Sequence, residues 1–135
     1  MALLNSRLTH MSHPRVNSFR LFGAPMSIEL TPVDREENDY IFRLVESGLR
    51  RYIEPVYGWD DSFQYQRLFQ QHQQDWYYWA EHEGTRKALL CYRRVEDRYH
   101  IHLMLVLEQF RSTGVGASVM GHVHNEACTQ GASLS

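Results

Sequence analysis

The spacing of apolar residues predicts one strand and two helices in the first part of the chain. Ser27–Val33 alternates apolar and polar positions, which is typical of a strand. Over residues 36–53 apolar side chains recur at three and four residues, the spacing of an amphipathic helix. Pro55 and Gly58 are expected to break this helix. A second, shorter helix is expected over residues 60–74, after a new N-cap.

The pattern then changes to strands joined by short polar turns. Strands are predicted over Trp76–Glu81, Ala88–Val95 and Tyr99–Leu107. Such short connections favour an antiparallel meander. A helix over Gly114–Ala127 follows, and Ala132–Leu134 can begin another strand. The predicted order is therefore β-α-α-β-β-β-α, an α+β fold with a mainly antiparallel sheet.

Composition narrows the class of protein. A chain of 135 residues with 43% hydrophobic and 13% aromatic residues suffices for one folded domain. The net charge of −2 gives no electrostatic reason to expect a nucleic-acid partner. No apolar run approaches the roughly 18 residues that a membrane span needs. Cys91 and Cys128 form no paired-cysteine motif, so a reducing, cytoplasmic location is predicted.

The first 25 residues differ from the remainder in charge. They contain three arginines and no acidic residue. This composition is similar to that of a transit peptide, but Pro14, Pro25 and the lack of an amphipathic face favour a disordered extension. The predicted domain therefore occupies residues 26–135.

A strand followed by a glycine-spaced turn and a helix start is the strongest chemical signal in the chain. The apolar run Ile101–Leu107 ends at a polar corner, and Arg111–Ala117 carries two glycines where the predicted helix begins. A helix N-terminus presents unpaired N–H groups and the positive end of the helix dipole. The segment therefore predicts an anion site, with phosphate as its natural ligand.

The residues of this turn resemble a known motif. Arg111-x-x-Gly114-x-Gly116-Ala117 is similar to motif A of the GNAT family of N-acetyltransferases, Gln/Arg-x-x-Gly-x-Gly/Ala. The segment Tyr52–Asp60 also resembles the connection between the first two helices in a bacterial branch of that family. The resemblance covers about residues 27–134. It implies an acyl-CoA N-acyltransferase-like fold, acetyl-CoA as co-substrate and an amine as acceptor.

The resemblance also implies which residues bind the co-substrate. The backbone of the last strand would bind the pantetheine arm through Met104, Leu105, Val106 and Leu107. The loop and helix start would hold the pyrophosphate through Arg111, Ser112, Thr113, Gly114, Val115, Gly116 and Ala117. Glycines there let the backbone approach the phosphates closely, and the guanidinium supplies positive charge.

Three departures from the family pattern qualify these expectations. Glu108 stands where the family often has proline, and Ser112 replaces a frequent glycine. Family members also continue with further strands and a helix, so the resemblance implies the N-terminal part of the fold only. An alternative is therefore a catalytically impaired domain that acts as a binding or oligomerising module, with homo-oligomers forming through an exposed sheet edge.

Catalytic residues are only weakly indicated. Glu54 is expected in a loop facing the acceptor, where it could act as a base or remain a solvated acid. His102 could accept a proton near the thioester or could be a packed or solvent-facing histidine. His100 and His102 have no regularly spaced cysteine or acidic partner, so no metal is predicted. A plain nucleotide-binding domain agrees less well with the sequence, because the chain lacks a P-loop and a βαβ unit.

Overall fold

The computed structural model describes residues 26–134, so the prediction of a disordered extension over residues 1–25 lies outside it. The predicted order of elements is confirmed, and a short strand lies where Ala132–Leu134 was expected to begin one. The elements are β1 (Glu29–Pro32), α1 (Asn38–Tyr57), α2 (Asp61–Gln66), β2 (Tyr77–His82), β3 (Thr85–Val95), β4 (Arg98–Val106), α3 (Val115–Thr129) and β5 (Ser133–Leu134). They fall into two compact units, residues 32–77 and residues 26–31 with 78–134. No helix of the described part is long and apolar enough to cross a bilayer.

A capping box precedes α1. The Asp34 carboxylate accepts a hydrogen bond from the Glu36 N–H at 3.1 Å, and the Glu37 carboxylate accepts one from the Asp34 N–H at 3.3 Å. These bonds satisfy amides that a helix start leaves without intrahelical partners. The buried residues of α1 recur at three- and four-residue spacings, as predicted: Ile41, Val45, Gly48 and Leu49.

The prediction that Pro55 breaks α1 is wrong. The helix continues through Pro55 to Tyr57, and Gly58 at φ +73° ends it with an N–H bond to the Glu54 carbonyl at 2.9 Å. Proline removes one amide donor, a small loss when only the last turn of the helix depends on it. Arg50 also braces this turn, because its guanidinium contacts the Glu54 carboxylate at 2.9 Å. Glu54 therefore lies in a helix and not in the predicted loop.

The second helix is shorter than predicted. Regular α2 ends at Gln66, and Arg67–Gln71 forms a π-helical turn closed by the bond from the His72 N–H to the Arg67 carbonyl at 3.2 Å. The Tyr77 hydroxyl donates to the Leu68 carbonyl at 2.7 Å inside this turn. The tyrosine thus satisfies a buried carbonyl within the wider turn. Spacing of apolar residues does not reveal this change of hydrogen-bond period.

The five strands form one mixed sheet in the order β1-β2-β3-β4-β5. The antiparallel pairing of β3 with β4 matches Ala88 to Val106 and continues to the pair Cys91–Leu103. The next pair is Tyr92–Ile101, so His102 is an extra residue on β4 without a Cα partner. This β-bulge locally bends the strand and changes the direction of its side chains. The short β5 pairs parallel to the beginning of β4.

Helix α3 buries one face against the sheet. Val115, Val119, Val123 and Ala127 are each at most 1% exposed and repeat every four residues. They belong to one apolar cluster with buried residues of β3 and β4, which are Ala88, Leu90, Tyr92, Tyr99, Ile101 and Met104. The predicted helix is confirmed, and its valines lie on the buried face. Because this packing fixes α3 on the sheet, it also fixes the position of the helix N-terminus.

A hydrogen bond between Tyr92 and Glu126 ties β3 to α3, and its removal is expected to be measurable. The Tyr92 hydroxyl donates to the Glu126 carboxylate at 3.0 Å. Burial and the Glu126 charge raise the pKa of Tyr92, so the hydroxyl keeps its proton. We expect Tyr92→Phe to lower the free energy of unfolding by about 1 kcal/mol in urea titrations. Tyr57→Phe, at a 79% exposed side chain, is the control. Equal unfolding midpoints for the two variants would contradict the expectation.

Candidate active site

The chain between β4 and α3 turns through a short 3-10 helix and a left-handed glycine. Glu108–Phe110 forms the 3-10 turn, in which the Phe110 N–H donates to the Leu107 carbonyl at 2.9 Å. Gly114 then adopts φ +87° and ψ 4° and is the N-cap of α3. A side chain at this φ is strained, which explains the glycine. The strand, turn and helix predicted from the sequence are confirmed here.

The first turn of α3 is left open. Gly114 has no side chain to cap it, and the first intrahelical bond runs from the Ser118 N–H to the Gly114 carbonyl at 3.1 Å. The amides of Val115, Gly116 and Ala117 precede this bond, so they have no carbonyl partner within the helix. A Cβ built on Gly114 meets no described atom within 4 Å. Unpaired donors, the helix dipole and free space together favour an anion at this point.

Arg111 is oriented by the end of β4. Its Nε donates to the Val106 carbonyl at 3.1 Å, and the side chain is exposed. This single bond leaves the remaining guanidinium donors for another acceptor. Ser112 has φ +65°, and the Thr113 hydroxyl donates to the Phe110 carbonyl, so the loop is held by its own hydrogen bonds.

Lys87 is a second cation beside this loop, and it was not among the residues predicted from the sequence. Its Nζ lies 3.8 Å from the centroid of the Phe110 ring, a cation–π contact. Its carbonyl accepts from the Leu107 N–H at 2.9 Å. A regular hairpin turning at residues 96–97 would place position 87 opposite position 106, and the bulge at His102 moves its partner to Leu107. The hairpin can be predicted from the sequence, but the bulge that sets this pair cannot.

The end of β4 combines buried side chains with an available backbone edge. Met104, Leu105 and Leu107 are buried, and Val106 is partly exposed. The strand pairs with β3 along one side, whereas the pairing with β5 is formed at Arg98 and Tyr99. Within residues 26–134, therefore, the edge of β4 that faces away from β3 has no strand beside it beyond Tyr99.

His102, the bulge residue, lies in the middle of β4. Its side chain is partly buried, and its ring centroid is 6.3 Å from that of His100. Burial lowers the pKa of His102, and the charges of Arg93 and His100 lower it further. The imidazole is therefore neutral near pH 7 and able to accept a proton. Among the described residues, no three histidine, cysteine or acidic side chains are grouped to hold a metal.

Glu54 has a different environment in its own unit. Its carboxylate is exposed on α1 and contacts the Arg50 guanidinium, which also contacts Glu46 at 2.8 Å. Both roles of Glu54, a base or a solvated acid, stay predictions.

Comparison with known families decides the affiliation of this chain. The model of the acetyltransferase (GNAT) family matches residues 40–134, which include most of α1, the sheet from β2 onward, the glycine turn and α3. The chain belongs to the GNAT acetyltransferase family. The resemblance of Arg111–Ala117 to motif A is therefore a resemblance to the correct family. The roles of individual residues in this GNAT domain stay predictions.

Solved structures confirm the acyl-CoA N-acyltransferase-like fold of the GNAT domain. The ribosomal-protein-S18-alanine N-acetyltransferase of Escherichia coli superposes with a TM-score of 0.53 at 13% identity, over 78% of this chain and 62% of that enzyme. The PaiA N-acetyltransferase of Thermoplasma acidophilum, solved with coenzyme A, gives 0.58 at 8% identity, over 78% and 75%. A GNAT family protein of Staphylococcus aureus gives 0.55 at 20% identity, over 80% and 97%.

The chain thus spans less than two thirds of the length of the E. coli enzyme. No curated protein matches it. At identities this low the solved structures establish the fold of the GNAT domain, and substrate and catalytic residues have to be argued from its own side chains.

Proposed function

We propose that this GNAT domain binds acetyl-CoA and transfers the acetyl group to an amine of a small molecule or protein. The observation that carries the proposal is the open N-terminus of α3, entered through the left-handed Gly114 and accompanied by Arg111 and Lys87. The Thermoplasma relative solved with coenzyme A supports this co-substrate class.

The residues present fit the diphosphate of acetyl-CoA. A diphosphate requires several N–H donors and positive charge, and the amides of Val115, Gly116 and Ala117 follow an N-cap that has no side chain. Arg111 has guanidinium donors beyond the one bound to Val106. Ser112 and Thr113 complete the proposed loop, as the sequence motif implied. The diphosphate would therefore be bound by backbone N–H donors, with flanking cations supplying positive charge.

The free edge of β4 suits the arm of the same co-substrate. After Tyr99 the strand has backbone groups along an edge that no described strand covers. An extended molecule carrying amide groups can add to such an edge by main-chain hydrogen bonds. We therefore retain the stretch from Met104 to Leu107 as the proposed contact for the pantetheine arm.

Transfer to an amine requires the loss of a proton from the attacking nitrogen. Acetyl-CoA supplies the activated acyl group, as a thioester. His102 is our proposed proton acceptor, because it lies on a bulge of β4 and its lowered pKa keeps the imidazole neutral. Glu54 is the weaker candidate, because its carboxylate is paired with Arg50.

Binding and turnover test this function separately. Calorimetric titration with acetyl-CoA should give saturable binding, and a thiol-release assay over a panel of amines should identify acceptors. A folded sample with neither binding nor thiol release would refute the proposal. Binding without release for any amine would instead favour the non-catalytic alternative.

Arg111→Ala tests the diphosphate contact. A hydrogen bond between two charged groups contributes about 1.5–3 kcal/mol, so we expect the Kd for acetyl-CoA to rise about 10- to 100-fold. Arg98→Ala is the control, since Arg98 is also exposed but lies at the start of β4, the end far from the glycine turn. The Arg98 variant should bind acetyl-CoA as the wild type does. Equal Kd values for the two variants would remove Arg111 from the site.

A second candidate function rests on the same uncovered edge. An unpaired strand edge is a template for another chain, so a binding or oligomerising module is an alternative to catalysis. The edge of β4 after Tyr99 is the observation in its favour. Light scattering checks it: concentration-dependent dimers abolished by a proline at an edge position support the module, and a stable monomer argues against self-association. The cytoplasmic location likewise stays a prediction.

A further inference from the structure

A cysteine and a histidine lie together on the surface of α3, one turn apart. The Cys128 Sγ is 3.6 Å from the His124 Nε2, and both residues are exposed. The pair contributes nothing to the apolar cluster under α3, which is formed by the opposite valine face. No step of the proposed acetyl transfer uses it.

The separation of the two atoms matches a metal chelate. Zinc binds cysteine sulfur at about 2.3 Å and histidine nitrogen at about 2.0–2.1 Å, with tetrahedral angles. Two such ligands on one ion are therefore about 3.6 Å apart. The Cys128–His124 contact already has this distance. A metal ion can thus replace the shared proton with little change in the positions of the two ligand atoms.

The electrostatic setting also favours a cation. His124 and Cys128 belong to the last two turns of α3, which ends at Thr129. A helix C-terminus carries partial negative charge from its last carbonyl groups, and a cation there is stabilised. The last turn contains no basic residue that would supply this charge.

We propose that Cys128 and His124 form a two-ligand site for a divalent transition metal, with Zn²⁺ as the preferred ion. Binding deprotonates the thiol, so Zn²⁺ forms one bond to Sγ and one to Nε2 while one proton passes to solvent. Water occupies the remaining two positions of the tetrahedron. Because both ligands come from one helix, the bound metal also links successive turns at the end of α3.

Cobalt titration of the full chain under reducing conditions tests this site. Co²⁺ bound to a thiolate gives a sulfur-to-metal charge-transfer band, which reports the Cys128 bond independently of acetyl transfer. We expect saturable growth of this band and its displacement by Zn²⁺. Cys128→Ser should abolish the band, and folding should be retained because Cys128 is exposed. No band in the wild type, or an unchanged band in Cys128→Ser, would overturn the proposal.

His124→Ala completes the test of the pair. Loss of a group that only supports a metal ligand costs about 10- to 100-fold in affinity, so loss of the ligand itself should weaken Zn²⁺ binding at least about tenfold. His122→Ala is the matched control on the same helix and should leave the affinity unchanged. If His122→Ala weakens binding as much as His124→Ala does, the assignment of the second ligand is wrong. Sedimentation with Zn²⁺ should give a monomer; a metal-dependent dimer would contradict water as the completing ligand.

Discussion

His102→Gln is expected to lower kcat for acetyl transfer by about 100- to 10,000-fold, the usual contribution of a positioned general base. Glutamine keeps a polar side chain of similar length at the bulge but cannot accept a proton. His122→Gln, on α3, is the control and should retain wild-type kcat. Steady-state thiol release with the best amine acceptor is the measurement. A kcat reduced less than about threefold would remove His102 from the proton transfer.

The pH profile separates proton transfer from a structural role of His102. Burial lowers the pKa of His102 from its usual 6.5, so the neutral imidazole, the form that can accept a proton, predominates at pH 6.5 and above. This form is lost as the pH falls through the lowered pKa of His102. Wild-type kcat/KM should therefore fall on the acidic side. In His102→Gln the residual activity should lack this acidic limb. If the fall of kcat/KM at acidic pH persists unchanged in His102→Gln, it arises from another titrating group.

The same lowered pKa has a consequence for stability. The pKa of His102 is lower in the folded protein than the 6.5 of the unfolded chain. At pH values between these two pKa values, the unfolded chain binds more protons at this histidine than the folded chain does. The free energy of unfolding should therefore decrease as the pH falls through this range. Urea titrations at several pH values measure the decrease, and it should be smaller in His102→Gln. An identical pH dependence in the two proteins would contradict burial of the imidazole as its cause.

Local rules predicted the parts of this fold that depend on neighbours in sequence. The β3–β4 hairpin follows from a polar turn between two apolar strands, and the face of α3 follows from valines at four-residue spacing. The turn at Gly114 was predictable because only glycine adopts its φ easily. Each of these signals lies within about one helical turn or one hairpin.

Features that depend on distant residues were missed. The exception is Pro55, which was mispredicted although its setting is local, because it falls in the last turn of α1. Lys87 reaches the glycine turn through the register of β3 against β4, which the bulge at His102 shifts by one residue. A mismatch of one residue between paired strands leaves no mark in either strand alone.

Gly114→Ala is expected to weaken both the fold and the proposed diphosphate site. An alanine at φ +87° costs about 1–2 kcal/mol in free energy of unfolding, because its Cβ crowds the following carbonyl. The new methyl group would also occupy the open space beside the first amides of α3. We therefore expect the melting temperature to fall by several degrees and the Kd for acetyl-CoA to rise at least about tenfold.

Gly121→Ala is the matched control, and its expected effect on stability has the opposite sign. Gly121 lies inside α3 without a positive φ, and a Cβ there also meets no described atom within 4 Å. Alanine is favoured over glycine in a helix interior by about 1 kcal/mol, so this variant should melt at a higher temperature. Its Kd for acetyl-CoA should equal that of the wild type. Stabilisation by both substitutions would disprove the left-handed requirement at Gly114, and unchanged binding by Gly114→Ala would disprove its place in the diphosphate site.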